Sequence, residues 1–162
     1  GYRPDLIVGI WRGGAPVAIA LQEYFEVRGH DARHVPVKTW AYRGIDVRRR
    51  EVEVSGLSLV ADAVDASSRL LIVDDVFDTG ASIATLLGKL RFQMDERCPK
   101  EIRIACPWYK PARNMTALRP DYYLHETDAW LVFPHELVGL KAEEIATGKS
   151  DLKVILDKLH LG

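Results

Sequence analysis

Three aspartates stand close together at the end of the most hydrophobic run of the chain, LLIVDDVFDTGASIATL at residues 70–86. Like charges repel, so Asp74, Asp75 and Asp78 indicate that a cation or a group rich in hydroxyls binds among them. Residues 79–82 make a tight turn into a predicted helix, whose first free N–H groups and dipole attract phosphate. Carboxylates can also hold a hydroxyl-bound magnesium through water. Phosphate, diol and metal together predict a site for a ribose phosphate.

Two simpler explanations of the same stretch stay open. Asp74 and Asp75 could end a strand and cap a turn, with an ordinary helix start after them. An acidic pocket of the receiver type is the second alternative, although such a pocket usually follows the first strand and this one follows a third. Each explanation accounts for single residues but not for their joint order.

A second loop, IWRGGAPVA at residues 10–18, has the same order of strand, turn and helix. Gly13 and Gly14 permit close approach of the backbone to an anion, and Arg12 offers a forked set of donors suited to phosphate oxygens. Alone this loop is weak evidence. Together the two loops predict two phosphate sites on one ligand, a monophosphate at one end and a pyrophosphate at the other.

Strand-length apolar runs alternate with helix-like stretches along the chain, and this alternation predicts a parallel sheet. The predicted strands cover residues 6–10, 35–39, 70–73, 102–105 and 122–124, and the predicted helices cover residues 16–28 and 82–94. No repeat or low-complexity linker divides the sequence, so we expect a single α/β domain over residues 1–162, with a mainly parallel twisted sheet flanked by helices. Ligands of such sheets bind beyond the carboxyl ends of the strands, where both loops fall.

Two segments do not follow this alternation. Residues 41–61 are polar at first and then alternating, which predicts a flexible loop or ribbon. Within that segment, residues 48–50 are three arginines, interpreted as a solvated charge run or a mobile cationic flap. Residues 141–162 predict an amphipathic helix that packs on the domain or on a partner subunit.

The bulk composition argues against several classes of protein. The 162 residues carry a formal net charge of -1 with scattered basic residues, which argues against a protein that coats nucleic acid. Cys98 and Cys106 are too few for a disulfide framework or a zinc site, and the histidines share no metal-ligand spacing. No apolar run approaches the roughly 18 residues of a membrane span. We expect a cytoplasmic protein without a membrane partner.

Both loops resemble those of the type I phosphoribosyltransferases, enzymes that use 5-phosphoribosyl 1-pyrophosphate (PRPP) with magnesium. LLIVDDVFDTGAS resembles the PRPP signature of that family, and WRGG resembles its pyrophosphate loop. Further along, YKPA at residues 109–112 and ETDAWLVFPHE at residues 126–136 resemble the 6-oxopurine branch, the hypoxanthine, guanine and xanthine enzymes. The resemblance runs from about residue 4 to residue 138. It implies the fold of that family, with a small base-binding hood at residues 127–138.

The resemblance implies a role for each residue of the two loops. Asp74 and Asp75 take the positions of the acids that bind the ribose hydroxyls and Mg2+. Asp78 takes that of an acid in the same PRPP-binding segment that lies near purine N7, a candidate general base. Arg12 and Gly13 match the pyrophosphate loop, in which relatives often carry a non-proline cis peptide. The 5′-phosphate loop is matched by Thr79, Gly80, Ala81 and Ser82.

Lys110 and Trp130 fall where the resemblance implies contacts with the base. Relatives place a lysine that donates to purine O6 at the first position and an aromatic that stacks on the base at the second. An ammonium donates but cannot accept, so Lys110 favours a carbonyl at C6 and disfavours adenine. From the residues alone, Lys110 could instead be a solvated loop lysine and Trp130 a core aromatic.

The implied activity is transfer of the phosphoribosyl group from PRPP to hypoxanthine, guanine or xanthine with release of pyrophosphate, in purine salvage. The transition state resembles a cation, so catalysis would rest on positioning and charge, with Arg12 and magnesium at the pyrophosphate and Asp78 at the base. A lid at residues 42–54 would exclude water. The alternatives are a PRPP-binding regulatory protein without transferase activity and a transferase for another base. Relatives are commonly dimers or tetramers, which implies a homo-oligomer.

Overall fold

The computed structural model describes residues 1–43 and 50–133, and beyond them residues 143, 154 and 158. The chain divides into two compact units, Gly1–Asp128 and Ala129–Gly162. The elements with described bounds lie in the first unit. Its strands are β1 (Leu6–Trp11), β2 (Arg33–Arg43), β3 (Arg50–Ser55), β4 (Arg69–Val73), β5 (Val76–Phe77), β6 (Glu101–Tyr109) and β7 (Tyr122–Glu126). Its helices are α1 (Gly14–Val27), α2 (Leu57–Ala63) and α3 (Ala81–Met94), with 3-10 turns at Asp95–Arg97 and Pro111–Arg113.

The strands of the first unit form a 7-stranded sheet in the order β3-β2-β1-β4-β6-β5, with β7 also paired to β6. β1 pairs in parallel with β2 and β4, and β4, β5 and β7 each pair in parallel with β6. Among these pairs, β2 with β3 alone is antiparallel. The predicted α/β fold class, a mainly parallel sheet flanked by helices, is therefore confirmed.

Helices cover both faces of the sheet, so the central strands are buried on both sides. On one face, Leu6, Val8 and Ile10 of β1 pack in a cluster with residues of α2 and α3. On the other face, Ile7 packs with Ala18 of α1. Burying a large aliphatic side chain contributes about 1.5–3 kcal/mol. The apolar runs that predict the strands are therefore also a main source of stability.

Several elements differ from their predicted bounds. β2 and β6 continue past residues 39 and 105, because pairing with β3, β5 and β7 satisfies their backbone groups there. α1 begins at Gly14, before its predicted start at Pro16. α2 begins inside the segment predicted as loop or ribbon. Its 7 residues are too few to show a helical period, and the helix depends on burial of Val60 and Ala61.

Residues 44–49 of the predicted loop at residues 41–61, and of the predicted lid at residues 42–54, lie outside the described residues. Three further predicted features fall wholly or partly outside them. These are the arginines at positions 48 and 49, the part of the hood from residue 134 to residue 138, and the tail helix of residues 141–162 apart from residues 143, 154 and 158. In the part of the chain that the structure describes, no helix combines the length and apolar character needed to cross a membrane.

Candidate functional site

The two predicted loops meet at the carboxyl ends of β1 and β4. These strands are parallel neighbours, with Gly9 paired to Val73, so both chains leave the sheet at the same edge. A Cβ atom on Gly13 would lie 1.9 Å from Asp75 Oδ2, and one on Gly14 would lie 2.3 Å from the carbonyl oxygen of Val73. Glycine is therefore needed at both positions for the first loop to reach the acids of the second.

The first loop turns directly from β1 into α1. The peptide bond between Trp11 and Arg12 is cis, the feature that the resemblance implies for this loop. The N–H of Ala15 donates to the carbonyl oxygen of Arg12 at 3.1 Å. The side chains of Trp11 and Arg12 are exposed, so the Arg12 guanidinium is accessible to an anion at this edge of the sheet.

Asp74 and Asp75 follow β4 side by side and are only partly exposed. The N–H of Asp75 donates to Asp74 Oδ1 at 3.0 Å, and the N–H of Val76 donates to Asp75 Oδ1 at 2.8 Å. Burial, and after it the neighbouring Asp75 carboxylate, raise the pKa of Asp74 well above its ordinary value. A cation bound between the two carboxylates would offset this repulsion.

The residues from Thr79 to Ser82 form the turn before and into α3. Gly80 has a φ of +76°, in the left-handed region that favours glycine, and a Cβ there would lie 2.6 Å from Thr116 Oγ1. The N-cap residue Gly80 makes no side-chain cap bond, and the N–H of Ala81 donates to Thr79 Oγ1 at 3.3 Å. The next N–H groups of the first turn point out of the helix end, where a ligand can accept from them. The turn lines a cavity of about 70 Å3 that Asp74 and Asp78 also line. A helix N-terminus at a small polar cavity suits a phosphate.

Asp78 forms an ion pair that the sequence does not predict. The Nε atom of Arg113 lies 2.7 Å from Asp78 Oδ1. That oxygen is buried and accepts no hydrogen bond of good geometry, so the contact is electrostatic. No motif marks this pair in the sequence, because the pairing of Phe77 with Tyr109 between β5 and β6 is what brings the two segments together.

Lys110 follows β6 directly and is 3% exposed. It is the one buried polar or charged residue among those whose burial is described. Its N–H donates to the carbonyl oxygen of Phe77 at 2.9 Å, which places its backbone beside the segment that carries Asp78. The alternative of a solvated loop lysine is therefore wrong.

Trp130 belongs to the second unit, Ala129–Gly162, and its side chain is 80% exposed. This exposure does not fit the alternative of a core aromatic. Its stacking on a base stays a prediction.

The acids of the site fit a magnesium ion that arrives with a substrate. The described residues contain no group of three or more histidine, cysteine, aspartate or glutamate side chains placed to hold a metal by themselves. Mg2+ is usually bound by one or two carboxylates together with waters and substrate phosphates. Asp74 and Asp75 supply two carboxylates, and the raised pKa of Asp74 reflects its burial and, after it, the negative charge of Asp75. An anionic ligand bound beside these two acids would complete such a magnesium site.

Comparison with known proteins points to one family. The sequence model described as phosphoribosyl transferase domain matches residues 1–138. No curated protein sequence matches the chain significantly. Among solved structures, the chain is similar to a purine phosphoribosyltransferase from Pyrococcus horikoshii, with 29% identity, 86% of this chain and 82% of that chain covered, and a TM-score of 0.65.

Two further solved structures share the fold at lower identity. A xanthine-guanine-hypoxanthine phosphoribosyltransferase from Helicobacter pylori is 17% identical, with 93% of this chain and 82% of that chain covered and a TM-score of 0.63. A protein from Neisseria gonorrhoeae with bound ppGpp is also 17% identical, with 93% and 84% covered and a TM-score of 0.66. At this identity, the two structures establish the fold alone.

Proposed function

This chain belongs to the phosphoribosyltransferase family, and we propose that it transfers the 5-phosphoribosyl group of PRPP to a 6-oxopurine base. The reaction releases pyrophosphate. The observation that carries the proposal is the close approach of Gly13 to Asp75, which joins the glycine loop after β1 to the acids after β4. PRPP has a 5′-phosphate at one end, a pyrophosphate at the other and a diol between them. The two loops offer matching groups for all three.

The chemistry of each loop supports its part of this ligand. The N–H groups at the start of α3 and the hydroxyls of Thr79 and Ser82 donate to the 5′-phosphate. The carboxylates of Asp74 and Asp75 accept hydrogen bonds from the ribose hydroxyls. Arg12 donates to the pyrophosphate with its planar fork. Bound Mg2+, held by the two acids and by ligand oxygens, would offset the negative charge of the pyrophosphate.

Catalysis follows from the same arrangement. The bond between C1 of the ribose and the pyrophosphate oxygen breaks while a base nitrogen approaches C1, and positive charge develops on the sugar. Arg12 stabilises the departing pyrophosphate, and Asp78 offsets positive charge on the base or accepts its proton. Water would hydrolyse the activated sugar, and the segment of residues 42–54 is our candidate for the lid that excludes it.

Lys110 supports the choice of a 6-oxopurine. A buried ammonium needs hydrogen-bond acceptors, and a carbonyl at C6 of the base adds one. The amino group of adenine is a donor at the same position and would oppose the ammonium. The similarity to the purine phosphoribosyltransferase of Pyrococcus horikoshii, at 29% identity, also supports a purine base.

The test is pyrophosphate release from PRPP and Mg2+ with hypoxanthine, guanine, xanthine and adenine in turn, with the nucleotide identified by mass. We expect turnover with at least one 6-oxopurine and none with adenine. Lys110→Met should lower kcat/KM for the 6-oxopurine about 10- to 100-fold, because a hydrogen bond to a charged group contributes about 1.5–3 kcal/mol. Lys100→Met, at an exposed lysine, is the matched control and should change nothing. Turnover with adenine alone would overturn the choice of base.

A second candidate is a PRPP-binding regulatory protein without transferase activity. The contact of Arg113 with Asp78 favours it, because a carboxylate already paired with a guanidinium is less available to a base. Titration calorimetry with PRPP, combined with the pyrophosphate-release assay, separates the two candidates. Binding of PRPP without turnover of any base would support the regulatory protein and overturn the transferase.

A further inference from the structure

The contact between Asp78 and Arg113 contributes little to stability. The Nε atom of Arg113 lies 2.7 Å from Asp78 Oδ1, and the two side chains are 48% and 33% exposed, respectively. Ion pairs this exposed contribute about 0–1 kcal/mol to the free energy of unfolding. Its position at the candidate general base therefore points to a role in the reaction.

The pair makes the two oxygens of the Asp78 carboxylate unequal. Oδ1 is buried, although the side chain as a whole is 33% exposed. The accessible surface of the side chain therefore excludes Oδ1. An unrestrained aspartate carboxylate rotates broadly about its last torsion angle. With Oδ1 fixed beside the guanidinium, Oδ2 is the oxygen left to meet a base.

The backbone that carries Arg113 is itself held in place. Its N–H donates to the carbonyl oxygen of Lys110 at 3.1 Å, and the N–H of Met115 donates to the carbonyl oxygen of Thr79 at 3.0 Å. Between them, the side chain of Asn114 bonds to the loop that follows it. The turn is therefore tied to Lys110 on one side and to the candidate phosphate loop on the other, as a preorganised site requires.

We propose that Arg113 is a positioning residue, which fixes one oxygen of Asp78 so that the other faces the purine. This inference rests on the proposed function, because it takes Asp78 as the group that meets the reacting base. Arg113 then acts through Asp78 and makes no contact with PRPP. Its removal should lower kcat and leave the KM for PRPP unchanged.

The experiment compares Arg113→Met and Arg113→Lys with the wild type in pyrophosphate release. We expect Arg113→Met to lower kcat about 10- to 100-fold, because small misplacements of a catalytic group cost up to about 100-fold in rate. Arg113→Lys keeps the charge near Asp78 and should recover part of that loss. Arg119→Met is the matched control, since Arg119 lies on the same loop with its guanidinium 5.9 Å from the ring centre of Tyr109. It should leave kcat unchanged.

A double-mutant cycle with Asp78→Asn shows whether Arg113 acts through Asp78. If it does, adding Arg113→Met to Asp78→Asn should cost no further activity, because both changes disable the same carboxylate. Losses that multiply would overturn the inference, as would a raised KM for PRPP with unchanged kcat, since either result makes Arg113 act independently of Asp78. Should Arg113→Met be too unstable to assay, Arg113→Lys takes its place. The same two measurements then decide: the activity of its double mutant with Asp78→Asn, and its kcat compared with its KM for PRPP.

The wild type separates failure of this inference from failure of the proposed function. Turnover in the wild type with unchanged kcat in Arg113→Met would overturn the inference alone. Increased turnover in Arg113→Met would also overturn it, and would make the pair inhibitory. Absence of turnover in the wild type would overturn the proposed function and the inference with it.

Discussion

The same two strands, β1 and β4, end differently at the two edges of the sheet. At the amino edge, Arg69 Nη2 lies 2.9 Å from Asp5 Oδ1, and the N–H of Arg69 donates to Asp5 Oδ2 at 2.8 Å. At the carboxyl edge, Asp74 and Asp75 lie side by side and the backbone of Gly13 approaches them. The amino edge pairs opposite charges, whereas the carboxyl edge collects like charges.

The pKa values at the two edges shift in opposite directions. Hydrogen bonding to the Arg69 side chain lowers the pKa of Asp5. Burial and the neighbouring Asp75 raise the pKa of Asp74. A lowered carboxyl pKa stabilises the folded state at neutral pH, and a raised one destabilises it. The amino edge thus contributes to folding, and the carboxyl edge loses stability in an arrangement that suits a charged ligand.

The largest expected effect comes from closing the gap between the two loops with Gly13→Ala. The added Cβ would lie 1.9 Å from Asp75 Oδ2, so either the Asp75 carboxylate turns away or one loop moves. We expect kcat/KM for PRPP to fall about 100-fold or more, as misplaced catalytic groups do.

Gly88→Ala is the control for that variant. Gly88 lies in α3, and a Cβ there would meet nothing within 4 Å. It should keep full turnover and gain about 0.5–1 kcal/mol of stability, because alanine is the better helix residue. Wild-type turnover in Gly13→Ala would show that the contact between the loops does not matter to the reaction.

The next effect separates activity from stability at the carboxyl edge. Asp74→Asn should lower turnover yet raise the free energy of unfolding by about 0.5–2 kcal/mol, the usual size of a stabilising substitution. The pKa of Asp74 is raised in the folded state, so the wild type loses stability as pH rises above the ordinary carboxyl range. The gain should therefore be present at neutral pH and absent in acid.

Urea unfolding of both proteins in the presence of a chelator measures this gain without bound cations. A variant less stable than the wild type at neutral pH would contradict the cost that we infer for the Asp74 charge, from its burial and from repulsion by Asp75.

The contrast between the edges also explains which features the sequence could predict. Within each loop the residues of interest stand close together in the chain, so the order of the acids and the turn into α3, and separately of Arg12, Gly13 and Gly14, is visible without a structure. The apolar runs likewise predict β1 and β4, because central parallel strands are buried on both faces. The order of residues within short segments was therefore sufficient to predict both the loops and the two central strands.

Features that depend on strand pairing were not predictable in this way. Arg113 meets Asp78 only because β5 pairs with β6, and burial of Lys110 follows from the same pairing. From the sequence, a lysine before proline is equally well a solvated loop residue. α2 was missed because its 7 residues carry no period and packing alone stabilises it.

The smallest expected effect comes from the amino edge, where Asp5→Asn should lower the free energy of unfolding by about 0.5–1 kcal/mol at neutral pH, since both side chains of the Asp5–Arg69 pair are partly exposed. The pKa of Asp5 is lowered in the folded state, so the stability it contributes is present above the ordinary carboxyl pKa and is lost as pH falls through the lowered value. Variant and wild type should therefore converge in acid, as for Asp74→Asn. At neutral pH, however, the change in the free energy of unfolding has the opposite sign in the two variants. Asp62→Asn, at an exposed carboxylate in α2, is the control and should match the wild type throughout. Pyrophosphate release should be unchanged in both variants, and a loss of turnover in Asp5→Asn would mean that the amino edge also serves the site.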